Sequence, residues 1–372
     1  MEVLGKELKF MKAEKIGKIE AIALMVIIII NVVVLNIPNI IMLSAGSGAI
    51  INVMYIGVLG VLFSILVSKL YDKFDGKDII DISEYVGGKI LKTFVCICFL
   101  VFIIVLAIIA VRYLSRSIKI IYFNKSPFIY ILLFFVVPAV IMNKLGIKAV
   151  SGVNMVFIFI VIVSLLILLI SSYENFTLSK MFPILGNGFN EVFILGATNI
   201  FAFANFIFLF LIPSLLKKTS DLKPVALFSS IISAIILIFC IATFILTLPA
   251  VTESEEMLSI YLLTRMVGFG NFLERLDAIF IFSWIITLLS CLSIGVFFIL
   301  RILSKMLNLK DEKVLASPIG LIILGGCLLI KNYSQIKFIG DYVYRYGFIT
   351  LVFGIGLGVL VVANLKLKKE KK

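Results

Sequence analysis

The chain has 372 residues, of which 62% are hydrophobic and only 15% charged, with a net charge of +13 and a mean hydropathy of +1.21. A soluble domain cannot hide such an apolar excess, because its surface requires far more charge. Ten bilayer-spanning helices of about 20 residues would absorb roughly 200 apolar residues, so an all-α polytopic membrane protein with ten transmembrane helices is expected.

Taken in chain order, Met1–Glu20 alternates Lys and Glu and reads as a cytoplasmic N-terminal segment. The apolar run behind it is too long for a cleavable signal and is read as an uncleaved first span. The first five runs are Ala21–Leu43, Ala49–Leu70, Thr93–Val111, Phe128–Met142 and Val150–Ile170. The next five are Glu191–Leu216, Val225–Leu248, Phe272–Leu300, Leu315–Ile330 and Tyr346–Leu365. With the N-terminus inside, the inner segments carry 24 Lys and Arg against 10 outside, so the positive-inside rule places both termini in the cytoplasm. Residues 21–365 then form a single membrane domain, followed by a basic cytoplasmic tail over 366–372.

Between spans two and three, Tyr71–Lys92 carries Asp72, Asp75, Asp78 and Asp81 at spacings of three, interleaved with lysines. That pattern fits either a partner surface or a solvated amphipathic cytoplasmic helix, and the second is favoured. Ala250–Asn271 is the largest outer segment and is expected to hold a short surface helix.

Two runs are interrupted at comparable places. Span one contains Asn31 and then Asn36-Ile37-Pro38. Span six contains Gly196-Ala197-Thr198-Asn199, then Phe203-Ala204-Asn205. Span one opens a first repeat (21–170) and span six a second (191–365), and an odd number of spans per half inverts the second. This is the pattern of a LeuT-like 5+5 inverted repeat with discontinuous first and sixth helices, whose ligand sits mid-membrane. Unwound backbone leaves peptide groups that hydrocarbon cannot satisfy but a polar ligand can. The candidate ligand-binding residues are Asn36, Pro38, Thr198, Asn199, Phe203 and Asn205. The alternatives are a simple proline kink in span one and interhelical hydrogen bonding by the amides.

No Asp, Glu, Lys or Arg occupies the central third of any expected span, which disfavours a proton-driven pump and points to a small neutral or zwitterionic ligand. The sequence has no histidine, so a His-based triad or metal site is excluded. Cys96, Cys98, Cys240, Cys291 and Cys327 lie in apolar runs without zinc spacing. No enzyme activity, metal, cofactor or nucleic-acid partner is expected. Glu274 and Asp277 share a helix face with Arg265 or Arg275 in reach; a structural clamp is favoured over a gate or subunit contact at Glu274, Arg275 and Asp277.

Several segments resemble a known family. They are Phe182-Pro183-Ile184-Leu185-Gly186-Asn187-Gly188, the end of span six from Phe210 to Lys218, and Gly270–Phe280 with its Glu-Arg-Leu-Asp core and nearby Trp284. Together they resemble the spore germination permease family, the B subunits of nutrient germinant receptors, within the amino acid–polyamine–organocation superfamily. The resemblance implies a spore inner-membrane protein that senses a small nutrient such as an amino acid, beside an A subunit and a lipoprotein C subunit. An amino-acid permease is the alternative. Where the family commonly carries a carboxylate in span six, this chain has the amide of Asn205.

Overall fold

The computed structural model describes residues 15–34, 37–248, 263–264 and 276–370. They are helical nearly throughout, and the one β-bridge joins Ile16 to Leu216. Seven helical stretches among them are long and apolar enough to cross a membrane, with a shorter apolar helix at Lys313–Leu329. Ten passages follow when spans one and six, each built from shorter pieces, are added. The face at which residue 15 lies is called the near face here, and the opposite one the far face.

Span one consists of Lys18–Val34 and Ile37–Ala45. It is apolar all round and buried along almost its whole length from Ala21 to Val33, as expected of a helix with no lipid-facing side. Spans five, seven and eight surround it. Span two (Ala49–Tyr71) lies along span seven (Leu222–Thr247). Hydrophobicity does not drive helices together in lipid, so close packing of small residues must. Accordingly Gly57 faces Ala234, and the hydroxyls of Ser64 and Ser230 bond across the seam.

Span six is the least regular passage. It runs as a wide-turn helix over Asn190–Ile194, a tight 3-10 helix over Leu195–Ala202, an α-turn at Phe206–Leu209 and a further 3-10 turn at Ile212–Leu215. The path leaves helical geometry at Phe203 (φ −84°, ψ 55°). The expected discontinuity of span six is therefore present; that of span one would fall at residues 35–36, outside the described residues.

Spans one and six run antiparallel and are fastened to each other at both faces. At the near face Ile16 N–H donates to the Leu215 carbonyl and Lys217 N–H to that of Ile16. At the far face Asn187 N–H donates to the Ala45 carbonyl, its side-chain amide to Ser44, and Ser47 Oγ to the Pro183 carbonyl. Gly186 (φ 52°) sits so near this crossing that a Cβ would overlap the Ala45 carbonyl. Only glycine fits, both for the positive φ and for the close approach.

Two expectations need correction. Span three was expected from Thr93, with the aspartates before it on a solvated helix. Instead a helix starts at Ile79, capped by Asp78, and reaches Ile121, interrupted only by non-helical Gly87 and Gly88 (φ 67°). Its opening turns are not solvated: Asp78, Ile79, Ile80, Ile82 and Ser83 are all buried. The aspartate spacing masked an apolar face lying between the charges. Span ten was expected from Tyr346, but helical structure begins at Tyr333 and continues to Glu370, with wide turns at Ile339–Tyr344 and Thr350–Gly356. The far-face segment Ala250–Asn271 lies outside the described residues except for helical Leu263 and Thr264.

Candidate functional site

The tight helix of span six brings Asn199 to the centre of a polar cluster. Its amide nitrogen donates to Oδ1 of Asn52 in span two (2.8 Å) and to Oγ of Ser44 in span one (3.3 Å). Asn52 in turn donates to the Val192 and Gly196 carbonyls of span six. Those carbonyls are free to accept because the helix changes pitch there, from wide to tight turns. Asn52 and Asn199 are both almost wholly buried.

Arg345 joins this cluster from span ten. Its Nη2 donates to Oδ1 of Asn199 at 3.4 Å, and its guanidinium carbon stands 5.0 Å from the centre of the Phe201 ring. Its Nε is buried without a hydrogen-bond partner, and no carboxylate pairs with it among the described residues. Tyr344 meets Phe201 edge to face at 5.3 Å, and its buried hydroxyl also lacks a partner. Buried polar groups normally find partners. A guanidinium and a hydroxyl with spare capacity beside a broken helix can grip an incoming polar molecule. Sequence reasoning missed Arg345 because it stood ahead of the expected start of span ten.

Lower in the bundle, Asn205 follows the departure at Phe203. Its amide nitrogen reaches Ser233 Oγ of span seven at 3.4 Å, while its buried Oδ1 has no partner. Asn31, one turn before the end of the first segment of span one, is buried with neither side-chain polar atom bonded. Leaving such amides unpaired costs about 1–3 kcal/mol each.

The other residues singled out in the sequence fall differently. Thr198 is half-buried, and its hydroxyl returns to the Leu195 carbonyl of its own helix. Phe203 is buried, stacked on Phe206 at 5.2 Å and packed against Gly60. Pro38 is the second residue of Ile37–Ala45 and is buried. Asn36, Glu274 and Arg275 lie outside the described residues, as does the side chain of Asp277.

At the near face, span six ends in a second polar cluster of another kind. The Phe210 carbonyl accepts from Tyr71 Oη (2.9 Å) and from Ile79 N–H (3.0 Å). Asp78, fully buried, accepts from Lys305 Nζ (2.5 Å), Ser214 Oγ (2.9 Å) and the N–H groups of Ile80 and Asp81. Lys305 also donates to Asp81 at 2.6 Å. Burial pushes the Asp78 carboxyl above the ordinary carboxylate range, against the opposite pull of Lys305 beside it. The end of span two, the capped helix, span six and the end of span eight (Leu276–Leu307) are thus tied at one point.

Ten helical passages, spans one and six running antiparallel, a broken span six and polar groups gathered at its break define a membrane protein of the LeuT-like transporter fold. The sequence matches the spore germination protein family over residues 15–335, and the chain belongs to that spore germination permease family. No curated protein matches it. Among solved structures, a variant of the manganese transporter of Eremococcus coleocola superposes with a TM-score of 0.54 at 12% identity, over 92% of this chain and 76% of that one. The same transporter with an aromatic bis-isothiourea substituted compound gives 0.50 at 14% identity, over 92% and 77%. At such identities the likeness is one of fold.

Proposed function

We propose that this chain is the nutrient-sensing subunit of a spore germinant receptor, set in the spore inner membrane with its near face towards the cytoplasm. A small zwitterionic nutrient, such as an amino acid, occupies the space between the discontinuities of spans one and six. Its carboxylate meets Arg345, with Asn199 alongside, while Asn205 and Asn31 offer amide groups farther in. The observation that carries this reading is the Arg345 guanidinium, without a carboxylate partner among the described residues, held against Asn199 at the tight half of span six. The ligand acts by binding one arrangement of the helices more tightly than another. By family likeness, the A subunit and the lipoprotein C subunit read that shift.

The similar solved structures concern a manganese transporter. This chain has no histidine, and among the described residues no group of three His, Cys, Asp or Glu could hold a metal ion. A divalent cation is accordingly not the ligand proposed. An amino-acid permease uses the same fold, and the absence of an interior carboxylate near the breaks favours sensing. Two measurements decide between them. The purified chain in liposomes is offered each radiolabelled amino acid, and saturable accumulation would establish transport. Spores carrying Asn205→Ala should need a shifted amino-acid concentration to germinate, whereas an unchanged dose response removes Asn205 from the site.

A further inference from the structure

A second cluster of cations lies away from the broken helices, where span three ends and span four begins at the far face. Arg112, Arg116 and Lys119 are spaced by four and three and so share one side of the helix. With Ile120, Asn124 and Phe128 they line a cavity of about 500 Å³. Like charges at such spacings destabilise a helix. This face of the protein is also where the positive-inside rule expects few cations, yet four of its ten Lys and Arg fall within 112–125.

The two cations flanking Phe128 are held in place. The Arg112 guanidinium carbon stands 4.2 Å from the centre of the ring and Lys119 Nζ 6.0 Å from it. One aromatic ring thus lies within cation–π range of both. Neither is paired with a carboxylate among the described residues, and Arg112 Nε is buried without a hydrogen-bond partner. Arg116 has a further partner and contributes to the wall. Asn124 adds an exposed amide at the rim.

We propose that this cavity binds a phosphate group. A planar guanidinium fork and an ammonium beside the same ring suit the several oxygens of a tetrahedral anion. Ile120 and Phe128 supply apolar walls for whatever the phosphate is attached to. The level of the site, at the end of a membrane-spanning helix, coincides with that of lipid headgroups. An anionic phospholipid and soluble phosphate are the two sources of this chemistry.

Native mass spectrometry of the full chain, purified in a neutral detergent and supplied with phosphatidylglycerol, tests the proposal. The wild type should retain one lipid more than the Arg112→Gln/Lys119→Gln variant, with about tenfold tighter binding. Lys125→Gln, outside the cavity, should behave as wild type. In parallel, inorganic phosphate alone is added during thermal unfolding in the same detergent. Stabilisation of the wild type but not of the double variant supports the site with soluble phosphate as its source. Equal lipid retention by wild type and double variant, together with no stabilisation by phosphate, overturns the proposal. Should the double variant fail to fold, Lys119→Gln alone is measured with the same outcomes.

Discussion

The two ends of span six are both polar, yet they are built on opposite plans. In the near-face cluster the charged groups are engaged: Asp78 takes four donors, and Lys305 serves two carboxylates. Towards the far face the groups are chiefly amides and one guanidinium, the guanidinium bonded at 3.4 Å and with atoms left over at Arg345 and Tyr344. Full pairing suits a fastening that holds one arrangement, because breaking it strands a buried charge. Partial pairing suits reception, because an incoming molecule completes what the protein leaves open.

If that contrast holds, near-face substitutions should cost stability and far-face ones should cost response. The largest effect is expected from Lys305→Met, which leaves Asp78 buried beside Asp81 with no cation. About 3–5 kcal/mol of stability should be lost, seen as a lower unfolding temperature in detergent. A loss no greater than that of an exposed lysine variant would break the comparison at its near end.

The same variant should also acquire a pH dependence. Burial raises the Asp78 carboxyl, so the folded chain holds that proton more tightly than the unfolded chain does. Stability therefore falls as pH rises from the ordinary carboxylate range through the raised value. Without the opposing pull of Lys305 that window extends upward. Lys305→Met should accordingly lose more stability than wild type as pH rises above the ordinary carboxylate range, a difference that unfolding scans at an acidic and a neutral pH would measure.

At the other end, Arg345→Gln should raise the amino-acid concentration needed for germination by about 10- to 100-fold, the range for a charge-assisted hydrogen bond. Its unfolding temperature should stay close to wild type. A stability loss as large as that of Lys305→Met would make Arg345 a structural group and erase the contrast. Asn205→Ala should shift the response less, by several-fold, since only a neutral hydrogen bond is at stake. Thr198→Ala should have the smallest effect, because its hydroxyl is already spent on Leu195. A large shift there would move the site outward along span six.

Much of this architecture was legible in the residues. Apolar runs of bilayer length marked the passages, and glycine and amides inside span six marked its discontinuity. Those signals are local, and the misses were not. Asp78 carries a solvated pattern in its own segment, and its partner Lys305 lies 227 positions away. Arg345 looked like a loop charge because wide helical turns at Ile339–Tyr344 carry no apolar period that would announce a helix. The segment Phe182–Gly188 stood out only through family likeness. Its physical role, a crossing that admits no Cβ at Gly186, needed the backbone of span one as its second half.

The double fastening of spans one and six bears on how a nutrient would be felt under the proposed function. Spans one and six are pinned to each other at top and bottom, and span six is jointed between the pins. A molecule wedged at the joint strains the pins, and of the two the lower is the more telling, because Ile16 is held there by two backbone bonds just ahead of the first helix. On the proposed reading, a ligand seated mid-membrane would load both fastenings and, through the lower one, the backbone at Ile16.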